Sequence, residues 1–402
     1  MERRSTLMER LSSRERRRGA LYRMDFDPTP EQAALRERVE AFCRRHCTDA
    51  DAALLDQRPN APDGLYHALA EAGLIGYCLP AAHGGGGGGP VEACIINEVL
   101  ARSSATATLL FQVNALSAAP IVLGGTDAQK EAHVRPVAEG RLRLAFALTE
   151  PNAGSDAGAL EACAVRDGDT YVLRGTKLYT TGAQEADHIV TVVRTRNEGK
   201  ASQGTSIFVV PRTAPGLTVT PLEKIAGNAV ASCRVEYRDV PVEARQLVGP
   251  EHGAWSLLML AAGLERLAVA AAAVGLADAV LAEVTAHVTT REQFGQPVSR
   301  FQAIQHQLAD MATEIEAMRL LTYHAAWLTA QGRIRPREIS MAKLYASERL
   351  PEIVTRGMRL LGGRAYFTDS AMPRRLREAL LTVYAGGTAE IQRNVVARSL
   401  GL

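Results

Sequence analysis

Apolar positions between residues 29 and about 143 recur at helical spacing, and in residues 31–42 they place Leu35, Val39 and Phe42 on one stripe. An all-helical first unit is expected. It is interrupted by His83 and six consecutive glycines, Gly84 to Gly89, followed by Pro90. Such a run cannot hold a helix and reads as a flexible connector. From residue 146 to about 248 the period shortens to β-rich runs at 171–174, 188–194 and 205–211, separated by Gly, Asp and Pro turns. They predict a small β-barrel or sandwich. Beyond His252 helical spacing returns and holds to the end, as in residues 315–328. Helix, sheet, helix is the expected order of an α+β chain.

Residues 255–277 are apolar and numerous enough to cross a bilayer. Adjacent Glu265 and Arg266 at the middle, many alanines and no flanking aromatic belt favour a helix buried in a bundle instead. A charge at mid-bilayer costs ~2.5–3.5 kcal/mol. Neither a transmembrane segment nor an internal repeat is expected.

With 402 residues, 47% hydrophobic and 22% charged, the chain can build two or three domains. Its net charge of +2 conceals an asymmetry. Residues 1–23 hold eight arginines against three glutamates, a charge of +5, which leaves the remainder near −3. The glutamates and the lack of an apolar stretch argue against a targeting peptide, so 1–23 reads as a basic, disordered tail. Only Tyr22 and Phe26 near its end offer base stacking, so nucleic-acid binding is not expected. Six cysteines (Cys43, Cys47, Cys78, Cys94, Cys163, Cys233) form no Cys-x-x-Cys and no Cys/His cluster. Neither a metal site nor a disulfide framework is indicated, and a cytoplasmic location fits. The glycine run has no strand before it and no Lys-Ser/Thr after it, so it is not a phosphate loop.

Four ordered segments carry chemistry. The first, Ala147-Leu148-Thr149-Glu150-Pro151-Asn152-Ala153-Gly154-Ser155-Asp156, is a Pro turn followed by Gly and Ser, whose backbone amides can meet an anion or a flavin edge. The others are residues 174–182, residues 290–295 leading to Phe301-Gln302, and residues 384–393. Together, from about Met24 onward, they resemble the acyl-CoA dehydrogenase flavoprotein family. Beyond the basic tail at 1–23, the resemblance implies an N-terminal helical domain at 24–145, a central β-barrel at 146–250 and a C-terminal four-helix bundle at 251–402. It implies FAD as cofactor, an acyl thioester of coenzyme A or a carrier protein as substrate, and electron-transfer flavoprotein as acceptor. A homotetramer, a dimer of dimers, is implied as well.

Desaturating an acyl thioester needs a carboxylate for the Cα proton, a flavin N5 for the Cβ hydride, and donors that polarise the thioester carbonyl. Many family members place the base directly before the Gly-Thr of the last motif, where this chain has Gly386. A branch including isovaleryl-CoA and long-chain acyl-CoA dehydrogenases carries it within a Leu-Glu-Arg-Leu segment, and here Leu264-Glu265-Arg266-Leu267 matches. A lone carboxylate in an apolar helix has its pKa raised by desolvation, which suits a base. Glu265 is therefore expected to take the Cα proton, with Ser155, Arg266, Gly386 and Gly387 facing the substrate. The bland alternative makes Glu265 and Arg266 half of a buried structural ion-pair network.

For the flavin, the resemblance implies that Phe146, Leu148, Thr149 and Ser155 line the isoalloxazine. Tyr179, Thr180 and Thr181 form a second wall, Tyr179 standing where Trp is common. Arg291 is the implied pyrophosphate contact, a forked and delocalised cation, with Phe294 and Gln302 nearby and reaching a neighbouring subunit's flavin. Arg359, Gly362, Gly363, Thr388 and Glu390 complete the implied cofactor set. Arg359 replaces a usual Gln, and Gly363-Arg364-Ala365 a usual Gly-Asn-Gly, so the adenosine end is expected to be held differently. On the residues alone, Arg291 reads equally as a helix-end cation, Gly362-Gly363 as a turn and Thr388 as a helix cap. Two rivals remain: an enoyl-thioester reductase on the same scaffold, and a non-dehydrogenating flavoprotein with a nucleic-acid-binding arm. Acyl length depends on pocket depth, which linear sequence does not reveal.

Overall fold

A computed structural model describes residues 27–57, 63–196 and 203–402. The expected tail at 1–23, with Tyr22 and Phe26, lies outside the described residues. The chain opens with α1 (Pro30–His46), α2 (Asp49–Asp56), α3 (Asp63–Glu71), α4 (Pro90–Ser103) and α5 (Ala105–Gly124). Their starts are written locally. Thr29 caps α1 in a reciprocal box with Gln32, and Pro30 takes the first helical position, where its missing N–H costs nothing. Thr48 and Asp51 do the same for α2. The glycine run is indeed loop up to Gly89, and α4 begins at Pro90.

The sheet comprises β1 (Leu144–Ala147), β2 (Cys163–Asp167), β3 (Thr170–Thr181), β4 (His188–Arg194), β5 (Thr205–Pro211), β6 (Leu217–Leu222), β7 (Ser232–Glu243) and β8 (Leu247–Val248). Its order is β6-β7-β3-β2-β4-β5-β8, with β1 parallel to β4. The expected barrel does not close among the described residues. β2 and β4 meet at a single pair, Cys163 with Arg194, so β6-β7-β3-β2 and β1-β4-β5-β8 are two halves joined at one point. They fold face to face. Tyr171 of β3 and Phe208 of β5 have ring centroids 4.9 Å apart. In a flat sheet, strands three places apart would be separated by ~14 Å. The Thr191 hydroxyl of β4 likewise lies 2.7 Å from the Tyr237 hydroxyl of β7. Packing of two inner faces replaces closure.

The continuous apolar run of β4 follows from this arrangement. Ile189 and Val193 enter the core between the two halves, while Val190 and Val192 pack under the N-terminal helices. Both faces are therefore buried, which removes any polar alternation.

The C-terminal part is built from α6 (Trp255–Thr290), α7 (Gln302–Ala330), α8 (Pro336–Leu361), α9 (Met372–Tyr384) and α10 (Ala389–Ser399). Helices α6 to α9 share one apolar core. Helix α6 runs on to Thr290, well beyond the apolar stretch read as 255–277. By length and composition α5 and α6 could each cross a membrane, yet more than half of the most apolar 18-residue stretch of each is buried inside the protein. Helix α6 has no single apolar face because α4, α5, α7, α8 and α9 all pack against it.

Candidate active site

Glu265 lies about three turns into α6 and is half-buried. Desolvation pushes its carboxyl pKa up, against the opposing pull of Arg266, Lys343 and a backbone hydrogen bond from Gly386. Burial in turn pulls the Arg266 guanidinium down from its usual range. A carboxylate whose proton affinity is raised by desolvation, beside cations that let it ionise, has the character of a general base.

The turn after α9 lies directly over it. Gly386 and Gly387 have φ of +67° and +90°, two consecutive left-handed residues of the kind glycine adopts freely. The turn is fixed by side chains. Arg266 Nε donates to the Gly386 carbonyl at 3.0 Å, Gln392 Nε2 to the Gly386 and Gly387 carbonyls at 3.0 Å each, and Lys343 Nζ to the Gly387 carbonyl at 2.7 Å. A Cβ added at Gly386 would lie 3.7 Å from the backbone N of Arg266. A side chain at 386 would thus start from the helical turn that carries Glu265. The two places at which the base is implied in different branches are spatial neighbours here.

A second assembly forms on the sheet. Lys177 Nζ donates to the Leu148 carbonyl at 3.0 Å and to Glu150 Oε1 at 2.6 Å. The other oxygen of Glu150 accepts the Glu161 amide at 2.7 Å, and the Leu178 amide donates to the Thr149 carbonyl at 2.8 Å. These bonds bring Phe146, Leu148 and Thr149 beside Tyr179, Thr180 and Thr181. Ser155 is exposed on the same loop. Where β3 and β7 lose register between Lys177 and Thr180, Tyr179 takes φ +58° and is 66% exposed. A strained, outward aromatic at a bulge is a common device for presenting a side chain to a ligand. Next to it the buried Thr180 hydroxyl has no partner. Thr181 Oγ1 lies 2.9 Å from Ser232 Oγ.

Arg291, Phe294 and Gln302 lie elsewhere. Arg291 is the C-cap of α6, and β9 (Glu292–Gln293) and β10 (Gln296–Pro297) form a hairpin whose turn residues Phe294 and Gly295 have φ of +55° and +80°. Phe294 is 92% exposed and meets Phe301 edge to face. Gln302 opens α7. Arg291 is 26 helical positions from Glu265, so at 1.5 Å per residue the two are ~39 Å apart in one chain. Arg359 is exposed in the last turn of α8, and Gly362 and Gly363 are exposed just past it. Thr388 caps α10 by accepting from the Ile391 amide, and Glu390 is exposed in its first turn. The structure therefore unites Glu265, Arg266, Gly386 and Gly387, with Thr388 and Glu390 just beyond the turn, unites the loop with the β3 wall, and leaves Arg291, Phe294, Gln302, Arg359, Gly362 and Gly363 apart from both.

Lys343 and Gln392, both fully buried beside the turn, were not singled out from sequence. A signal for Lys343 existed. It interrupts the apolar stripe of α8, among Ile339, Ala342, Ala346 and Leu350.

Two helical blocks enclose a folded sheet, and a desolvated carboxyl on the last block lies under a double-glycine turn. Models of the acyl-CoA dehydrogenase N-terminal, middle and C-terminal domains match residues 29–141, 145–240 and 253–401. A probable acyl-CoA dehydrogenase, YngJ of Bacillus subtilis, is 36% identical over 94% of this chain and 100% of its own length. The caffeyl-CoA reductase-Etf complex subunit CarC of Acetobacterium woodii is 33% identical over 91% of this chain and 97% of its own. The structure of butyryl-CoA dehydrogenase from Megasphaera elsdenii superposes with a TM-score of 0.91 at 30% identity, covering 94% of this chain and all of that one. The chain belongs to the acyl-CoA dehydrogenase family, flavoprotein oxidoreductases that act on the CH–CH bond of acyl-CoA thioesters.

Proposed function

We propose that Glu265 takes the Cα proton of a bound acyl thioester and that the flavin is FAD. The observation that carries the first point is the desolvated Glu265 carboxyl under the Gly386-Gly387 turn. The Gly386 amide is engaged with Glu265, so the Gly387 amide is the donor assigned to the thioester oxygen. FAD, when bound, supplies the acceptor for the Cβ hydride. The residues present fit it: the pinned loop gives Phe146, Leu148, Thr149 and Ser155 along one side, exposed Tyr179 gives an aromatic plane, and Thr180 brings a buried hydroxyl without a partner. Arg291, Phe294 and Gln302, with Arg359, Gly362, Gly363, Thr388 and Glu390, are assigned to the cofactor's phosphate and adenosine parts. The ~39 Å along α6 between Glu265 and Arg291 supports a second copy as the owner of the flavin that Arg291 reaches. A homotetramer of paired dimers is the proposed assembly.

Electron-transfer flavoprotein is the proposed redox partner, a reading supported by the Etf complex named for the CarC relative. The same relative supports the reductive direction as an alternative, in which Glu265 returns a proton to Cα. The six free cysteines suit the proposed cytoplasmic location.

Glu265→Gln keeps side-chain volume and removes the acceptor. It should retain FAD while slowing flavin bleaching by the best acyl-CoA in a panel ~10²-fold or more. Near-parental bleaching would refute the assignment. Adding Gly386→Glu to that variant should recover part of the rate at some cost in stability, since a non-glycine residue at φ +67° is strained by ~1–2 kcal/mol.

A further inference from the structure

Lys343 is the least expected charge in the C-terminal core. It occupies a position on α8 flanked by buried Ile339, Ala342, Ala346 and Leu350, and is itself 0% exposed. Burying an ammonium is costly unless its surroundings compensate for the lost water. Its Nζ donates to the Val383 carbonyl at 3.1 Å and the Gly387 carbonyl at 2.7 Å, the two ends of the segment joining α9 to the double-glycine turn. Neutral donors suffice for such bonds, as Gln392 demonstrates by reaching the same Gly387 carbonyl from α10. The retained positive charge therefore needs another reason. Glu265 supplies it.

We propose that Lys343 is a positioning residue for proton abstraction: it fixes the Gly386-Gly387 turn over Glu265 and sets a buried positive charge within reach of that carboxylate. This rests on the reading of Glu265 as the base. The charged groups acting on Glu265 are Arg266 on its own helix and Lys343 from α8. Those acting on Lys343 are Arg266 and Glu265 from α6, Glu390 from α10 and Glu348 on α8. Among the other charges on the packed helices, Glu98 of α4 pairs with Arg36 and Arg319, Glu314 of α7 with Arg356, and Glu378 of α9 with Arg374. Arg266 already bonds the Gly386 carbonyl, which leaves Lys343 as the cation contributed from outside α6. Burial brings the Lys343 pKa down to about 8, so its charge is present at neutral pH and is lost in mildly alkaline solution.

The test compares full-length parent, Lys343→Met and Lys343→Arg, each loaded with FAD. Anaerobic flavin bleaching by the best acyl-CoA of the panel is followed from pH 6 to 9. Without the cation, Glu265 holds its proton to higher pH. Lys343→Met should therefore shift the midpoint of the rate profile upward by ~1 pH unit, with its deficit largest at the acid end of the range. Lys343→Arg should keep the parental profile shape. A purely structural lysine would instead lower the rate by one constant factor across the range, and that result would overturn the proposal. Hydrogen exchange supplies the second readout, with faster exchange at residues 386–388 expected in Lys343→Met and unchanged exchange counting against the turn-fixing role. If Lys343→Met does not fold, Lys343→Leu takes its place with the same expectations. Glu265→Gln, run alongside, separates the failures: an active Glu265→Gln sinks the base itself, whereas an inactive one with an undisplaced Lys343→Met profile sinks only the role of Lys343.

Discussion

Lys177 and Glu150 form an ion pair with Nζ 2.6 Å from Oε1 and side chains 0% and 3% exposed. The pair ties the loop after β1 to the bulged end of β3, and so joins the two walls assigned to the flavin. Burial pulls the Lys177 pKa down to about 8 despite the opposing effect of Glu150. Breaking a pair of this kind strands a charge at a cost of ~3–5 kcal/mol. Lys177→Met should lower the thermal unfolding midpoint and release flavin more readily. Lys177→Met with Glu150→Gln should lose less than the sum of the two single changes, because no ion is then left alone. Calorimetry and flavin fluorescence check both, and additive losses would show that the two side chains are not coupled.

The separation of Arg291 from Glu265 predicts complementation between chains. Arg291→Ala alone should lose FAD, and Glu265→Gln alone should keep FAD and bleach poorly. Oligomers refolded from an equal mixture should regain activity, since one class of site combines an intact Glu265 with a neighbour's intact Arg291. Activity no greater than the average of the two variants would place both residues at one chain's own cofactor, and light scattering on the same samples reads the size of the assembly.

His133 and His188 meet with ring centroids 4.9 Å apart where the N-terminal helices join β4. Burial, with a smaller contribution from His188, pushes the His133 pKa down to about 4 from an ordinary 6.5, and burial lowers His188 as well. The folded state therefore favours neutral rings, whereas the unfolded chain takes up protons below about pH 6.5. The stability contributed by the neutral pair is complete above pH 6.5 and is lost as pH falls toward 4. Melting midpoints should drop across that window in the parent and less steeply in His133→Gln. Equal slopes would assign the acid sensitivity to other groups.

Much of this was legible in the chain itself. Thr29, Thr48 and Thr388 set helix starts through contacts three residues away, and such local hydrogen bonds survive reading in one dimension. The change of period at residue 146 and its reversal after His252 gave the helix, sheet, helix order. The ordered motifs pointed to the family, and an apolar helix holding one Glu-Arg pair pointed to Glu265.

Tertiary structure decided the rest, because it depends on which distant residues share a neighbourhood. The single Cys163–Arg194 pairing divides the sheet into two facing halves, and no period in β2 or β4 announces where two strands part. Gly386 comes to rest over the Glu265 turn across 120 residues of intervening chain, held there by Arg266, Gln392 and Lys343. The pKa of Glu265 is likewise a property of that assembly: the sequence supplies the carboxyl, but desolvation and the nearby cations exist only once α6, α8 and the double-glycine turn have packed together.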